Sequence, residues 1–259
     1  MAPAPAKLME ALLLALLGGL LVGLLLTLFG GGGSVLATPW LIYVVGVADA
    51  HAAIATSAAA VAVNAATGLL AQAKAGRVKW PCASVFAVAG LLGSVLGARL
   101  AMTIDGDQLI RAFGAAMIAI ALSMLIPRKS EGNPGVRLTP VMVWKLAPVG
   151  LAAGLAAGFF GIGGGFLIAP GLMAATGMTL ANASASSLVS VTLFGSATSA
   201  TYAVRGQLIW SLFAALIAGG ALGTLAAMPI LRRIEAHARI LRLAFALLVI
   251  AVGLFIIFG

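Results

Sequence analysis

The sequence predicts an all-α polytopic membrane protein built from two homologous repeats of about 130 residues, broken at glycine-rich clusters and holding 8–10 membrane segments. Three observations carry that prediction. First, 63% of the 259 residues are hydrophobic and only 8% are charged, whereas about a quarter of a soluble domain is charged. Second, the apolar residues fall in uncharged windows of bilayer length. Third, the chain matches itself at an offset of 131 residues. The composition excludes a cytosolic enzyme, a secreted domain and a disordered tail.

The uncharged windows are 11–48, 50–73, 80–98, 112–127, 146–204, 206–231 and 243–259. About 20 apolar residues in a helix cross a hydrocarbon core of ~30 Å. Backbone buried in lipid must hydrogen-bond within its own segment, so such windows are helices. The alternating ten-residue segments of a lipid-facing barrel do not occur.

The offset of 131 aligns Gly23 with Gly154, Gly30 with Gly161, Gly32 and Gly33 with Gly163 and Gly164, Leu36 with Leu167, Pro39 with Pro170 and Gly46 with Gly177. At 130, Ser57 aligns with Ser187, Gly76 with Gly206, Trp80 with Trp210, and Gly90 and Gly93 with Gly220 and Gly223. Apolar composition matches leucine and alanine by chance; it does not match glycine, proline and tryptophan in order.

The elements follow in turn. Residues 11–73 carry one charge, Asp49. As helix they would extend about 95 Å, enough for three crossings less the turns. Breaks at Gly30–Gly33 and near Gly46 divide them into a full helix over 8–29, a short one over 34–47 and a long one over 50–73. The short piece reaches only about 21 Å, so it reads as a half-helix inside the protein. Helices over 81–103 and 107–127 complete the first repeat, 1–127. A cytoplasmic linker is expected over 128–145, because PRKSEGNPGVRLTP at 127–140 gathers proline, glycine and charge. The second repeat, 146–259, predicts helices over 146–160, 165–177, 180–204, 208–231 and 238–258.

Loop charges orient this bundle. Lys74, Arg77 and Lys79, then Arg128, Lys129, Arg137 and Lys145, then Arg232, Arg233 and Arg239 mark three basic connections. Five crossings per repeat, with inverted repeats, put all three on the cytoplasmic side; four crossings would put the last outside, against the positive-inside rule. The formal net charge of +9 therefore reads as orientation, and no nucleic-acid partner is expected. Lys7 and the run Ala11–Leu28 imitate a signal peptide. The run exceeds the usual core of about 7–15 residues, and the repeat uses its residues, so it is expected in the mature protein. The single cysteine, Cys82, permits no internal disulfide.

Candidate functional residues begin with the glycine clusters. Glycine costs about 1 kcal/mol relative to alanine inside a helix, so four nearly together, twice, unwind it. Unwound backbone in a membrane lines a cavity or lies buried in protein. A short helix follows each cluster, and free N–H groups at its start favour an anion. Such clusters in corresponding positions of two repeats point to a binding site, here Gly31, Gly32, Gly33 and Ser34 with Gly163, Gly164 and Gly165. Scattered glycines such as Gly90, Gly93 and Gly97 read instead as close helix packing. The third helix of each repeat adds hydroxyls and amides, which can donate to an oxyanion without burying a full charge. Thr56 and Ser57 stand out with Ser186 and Ser187 because the repeat pairs them, and Asn64 joins them. The rest, from Ser190 and Thr192 to Thr198, Ser199 and Thr201, read as interhelical glue.

Other polar residues take plain readings. No Asp, Glu or Lys lies deep in an apolar window, so a carboxylate proton relay is unsupported. His51 reads as an interfacial histidine, Arg99 as a snorkelling end residue, Asp107 and Arg111 as a surface helix pair, and Trp80 and Trp210 as interface anchors. Arg205, at a helix end, could also attract anions at a mouth. No catalytic constellation, metal cluster, HExxH, GxSxG or P-loop occurs, so no enzyme, cofactor or metal is expected.

Gly30–Gly33 with Pro39, Ile54–Ser57, Gly76 with Trp80, and Gly90, Gly93 and Gly97, echoed by Gly161–Gly165, Pro170 and Ser186-Ser187, resemble the sulfite exporter TauE/SafE family, also called the four-toluene-sulfonate uptake permease family. The resemblance covers nearly the whole chain. It implies a small transporter of sulfur-containing anions such as sulfite, thiosulfate or sulfoacetate in the bacterial inner membrane. It places the site on Gly31–Ser34, Thr56-Ser57, Gly163–Gly165 and Ser186-Ser187. The second repeat departs by having Ser-Ser for Thr-Ser. The expected function is secondary anion transport by alternating access, with a passive anion channel or a non-transport scaffold as alternatives. The expected partners are the anion and the lipid bilayer, and a homodimer stays open.

Overall fold

A computed structural model describes residues 5–125, 132–161, 165–234 and 238–258. Among these residues the chain is helical, and the one β-type contact is an isolated bridge between Asn133 and Met178. α1 spans Pro5–Phe29. The chain then tightens into a 3-10 run, Gly30–Leu36, followed by the single turn α2 (Ala37–Pro39) and a π-helical turn, Trp40–Val44. α3 (Ala50–Lys74), α4 (Trp80–Ala101) and α5 (Gly106–Leu125) complete the first repeat. The second contains α6 (Pro140–Phe160), α7 (Gly165–Thr176), α8 (Leu180–Ala203), α9 (Trp210–Ile234) and α10 (Ala238–Phe258). Within α1, α3, α4, α6 and α9 lie five stretches long and apolar enough to cross a membrane.

Local chemistry sets the boundaries. The Asp49 carboxylate accepts the His51 N–H at 2.9 Å and caps α3. Thr179 accepts the Asn182 N–H at 3.3 Å and caps α8. α6 begins at Pro140 rather than 146, because proline at a first helical position loses no hydrogen bond. The exposed Lys145 therefore belongs to the helix, and the expected linker 128–145 is shorter. Its described part docks on the turn between α7 and α8: the Asn133 N–H donates to the Gly177 carbonyl at 2.8 Å, and the Asn182 amide donates to the Pro134 carbonyl at 3.3 Å.

The short segment after α1 is also not the single helix expected over 34–47. A continuing α-helix would carry residue 33 about 10 Å beyond residue 26. Instead Gly33 lies against the backbone of Leu25 and Leu26, where a Cβ would collide. The chain thus folds back along α1 in a 3-10 path. Farther on, the Trp40 indole rests on Gly18 and donates to the Leu14 carbonyl at 2.8 Å.

The repeats exchange helices. α1 packs on α9 and α4 packs on α6, while α3 meets α8 and α5 meets α10. Glycines fix the directions. Gly19 and Gly23 abut the Leu216 and Gly220 carbonyls, and Gly219 and Gly223 abut those of Leu16 and Leu20, so α1 and α9 run parallel. Gly150, Gly154 and Gly158 meet the carbonyls of Phe86, Gly90 and Ser94, so α4 and α6 are parallel too. Gly195 faces Ala58 and Ala62 while Gly68 faces Leu188, so α3 and α8 are antiparallel. Packing through small residues, expected for Gly90, Gly93 and Gly97, is what these positions do. The largest core joins Phe86, Leu146, Ile168, Leu172 and Phe194 of α4, α6, α7 and α8.

Candidate functional site

The two glycine breaks lie at different depths. Asn64 of α3, Gly220 of α9 and Gly23 of α1 share one level, since Gly220 abuts both of the others. From Gly23, α1 runs six residues further to Phe29 before the first break. The second break starts at Gly161, which ends α6 with φ +65° and lies against Ile54, ten residues before Asn64. At 1.5 Å per residue the breaks are about 24 Å apart along the bundle. The described starts of the two breaks, Gly30 and Gly161, therefore lie apart rather than face to face. Between them, buried Val35 and Leu36 join a hydrophobic cluster with Leu167 of α7. Gly163 and Gly164 lie outside the described residues, and Gly165 opens α7.

The hydroxyl pairs are also split, and the split has a pattern. Because α3 and α8 are antiparallel, Thr56 and Ser57 lie near the level of Gly161, the break of the other repeat. Ser186 and Ser187 lie toward the opposite end, and the 3-10 run after the first break packs on α8. Each break thus lies near the level of the hydroxyl pair of the opposite repeat. Thr56 and Ser186, the repeat-related members, do matching work. The Thr56 hydroxyl oxygen accepts the Ile209 N–H at 3.1 Å, and that of Ser186 accepts the Lys79 N–H at 2.9 Å. Each satisfies an N–H just before α9 or α4 and keeps its own O–H proton for a further acceptor. Ser57 shares a hydrogen bond with Thr38 at 2.8 Å and reaches the Ile54 carbonyl at 3.1 Å. Ser187 donates to the Ser184 carbonyl at 2.8 Å. Position 169, which answers Thr38, is alanine, so the two ends are not chemically identical.

Ser34 is fully buried at the start of the segment. Asn64 sits apart from both hydroxyl pairs. Its amide reaches the Leu216 carbonyl at 3.5 Å, in space left by Gly220. Phe194, its counterpart in the second repeat, occupies the matching space beside Gly90. The sequence reading did not single out Tyr202 and took Thr198 as glue. Both are fully buried on α8, and their hydroxyls have no partner among the described residues. Tyr202 answers Gln72 and Thr198 answers Gly68, so the repeat comparison gave no signal for them. A groove of about 570 Å3 opens nearby, lined by Arg99, Met102, Ala200, Thr201, Val204 and Arg205.

A duplicated helical bundle with an interrupted segment in each half is the architecture of a multi-pass membrane transporter. The chain belongs to the sulfite exporter TauE/SafE family, whose model matches residues 15–256. It is 43% identical over 249 residues to a "Probable membrane transporter protein" of Xylella fastidiosa, covering 96% of this chain and 95% of that one. It is 26% identical over 253 residues to "Probable membrane transporter protein YunE" of Bacillus subtilis, covering 90% and 93%. No solved structure matches it.

Proposed function

We propose that the protein is a secondary carrier of small sulfur-containing anions, such as sulfite, thiosulfate, sulfoacetate or another sulfonate, in the bacterial inner membrane. The observation that carries this reading is that each glycine break lies near the level of the hydroxyl pair of the other repeat. One half-site draws on Gly163, Gly164 and Gly165 with Thr56 and Ser57. The other draws on Gly31, Gly32, Gly33 and Ser34 with Ser186 and Ser187. Asn64 lies at the level between them. In this reading, backbone N–H groups at the breaks and the O–H groups of Thr56 and Ser186 present hydrogens to a negative solute without a buried charge.

The antiparallel α3 and α8 support repeats of inverted topology, related by an axis in the membrane plane. Val35, Leu36 and Leu167 are then the partition between a half-site near one face and its mate near the other. Rocking of one set of exchanged helices against the other opens one side and closes the opposite side. Orientation follows from charge. In the sequence, all the lysines and arginines except Lys7, Arg99, Arg111 and Arg205 fall in or beside the connections α3–α4, α5–α6 and α9–α10, which share one side in this topology. Glu10, Asp49, Asp105 and Asp107 match those four. The basic face is cytoplasmic in this reading.

Reconstitution in liposomes with radiolabelled sulfite tests the proposal. A carrier gives saturable uptake, accelerated by unlabelled sulfite inside the vesicle. Gly32→Leu and Gly163→Leu are expected to insert normally and to abolish that uptake. Flux that never saturates would make the protein a channel instead, and the absence of both flux and binding would leave a scaffold.

A further inference from the structure

Four polar groups near the second break belong to neither hydroxyl pair. The hydroxyls of Thr198 and Tyr202 are 0% exposed and have no partner among the described residues. They are four residues apart on α8, so they share one face of the helix, one turn apart. The His51 ring stacks on the Tyr202 ring, with centroids 5.9 Å apart, and its buried Nδ1 is likewise without a partner. Arg205 lies within electrostatic reach of the Tyr202 hydroxyl. Tyr202 also belongs to an apolar cluster with Ile54, Ala55, Ala98, Ala101 and Leu109. A hydroxyl in such surroundings destabilises the fold unless something accepts its proton.

Two further features identify what that something is. Ile54, in this cluster, touches Gly161, so the hydroxyls stand beside the second break. Met102 packs on the same cluster and also lines the groove that holds Arg99 and Arg205. Neither arginine has an ion-pair partner among the described residues. The nearby carboxylate of Asp49 caps α3 through one oxygen and keeps its negative charge, but Arg99 and Arg205 outnumber it. Phenol, alcohol and imidazole can each donate a hydrogen bond, and the groove beside them is cationic.

We propose that the Thr198 and Tyr202 hydroxyls and the His51 imidazole form an oxyanion-binding site at the α8 end of the bundle, approached through the groove lined by Arg99 and Arg205. The site takes a compact sulfur oxyanion with several acceptor oxygens, and it rests on the reading of the protein as an anion carrier. The other end of the bundle differs in chemistry: the matching positions are Gly68, Gln72 and Ala181, of which only Gln72 is polar. The two mouths of the carrier therefore differ in affinity, and the tighter one is on the face opposite the basic connections.

The test measures equilibrium binding of sodium sulfite, thiosulfate and sulfoacetate to the purified full-length protein in detergent. Tyr202→Phe and Thr198→Val are compared with Thr192→Val, whose hydroxyl already donates to the Leu188 carbonyl. For the best-bound anion, each of the first two variants is expected to weaken affinity at least tenfold and Thr192→Val less than twofold. Without anion, Tyr202→Phe is expected to melt no lower than the parent, since it deletes a hydroxyl that bonds to nothing in the protein. Unchanged affinity in both variants overturns the site and leaves the carrier reading standing. Lower melting of anion-free Tyr202→Phe overturns it as well, because the hydroxyl would then hold the fold. If the parent binds none of the three anions, the site and the carrier reading fail together.

Discussion

A hydroxyl in a membrane helix can be spent on the protein or held for a solute, and under the proposed function individual residues here divide between those uses. Thr56 and Ser186 accept N–H groups that precede helices of the other repeat, at 3.1 and 2.9 Å. That is the work of a helix cap supplied from a distance. Losing a cap costs about 1 kcal/mol. Thr56→Val and Ser186→Ala should each destabilise the protein by about that amount. The double variant should lose the sum, because sites more than about 10 Å apart act independently. Unfolding in mixed micelles measures all three; a double variant no worse than either single one would mean that the two bonds do not act separately. The repeat made these positions conspicuous in the sequence, but their partners were not legible. Ile209 and Lys79 offer only backbone, and backbone carries no residue-specific signal. Tyr202 was hidden for the opposite reason, having no counterpart to align with.

Among the elements, glycine does two different jobs that composition cannot separate. In the parallel pairs it lets backbones touch: a Cβ on Gly154 would strike the Gly90 carbonyl. In α3, Gly68 faces only the Leu188 side chain, at an ordinary 3.5 Å. The two should respond to alanine with opposite signs. Gly154→Ala should destabilise by about 1–3 kcal/mol through overpacking, and Gly68→Ala should stabilise by up to about 1 kcal/mol through helix propensity. Paired thermal melts decide this, and a shared sign would refute the assignment. The breaks were legible because clustered glycine before a short apolar piece has few other meanings. The path after the first one was not, since 3-10, α and π turns share the same local preferences and only the close approach of Gly33 to Leu25 and Leu26 selects among them. The start of α6 was missed because Lys145 reads as a loop charge, although its long stem suits an exposed helix face.

For the molecule as a whole, the number of helices and their duplication were readable from windows and offsets. Depth was not, because it depends on which helices are antiparallel. The sequence therefore suggested two breaks facing one another, where the structure sets them apart along the bundle. Sidedness can be checked directly. In a Cys82→Ala background, Thr103→Cys should react with an impermeant maleimide in intact cells, and Arg77→Cys only after permeabilisation. Labelling of both from the same side would invalidate the topology.

The partnering of α1 with α9 has a consequence for synthesis. Gly19 and Gly23 of α1 rest on Leu216 and Gly220, which the ribosome reaches nearly two hundred residues later. At about 5–20 residues per second, the first helix waits roughly 10–40 s in the bilayer before its partner exists. During that interval its notched stripe is open to lipid, to neighbouring nascent chains and to quality-control proteases, so slow translation of the second half should be more harmful than slow translation of the first.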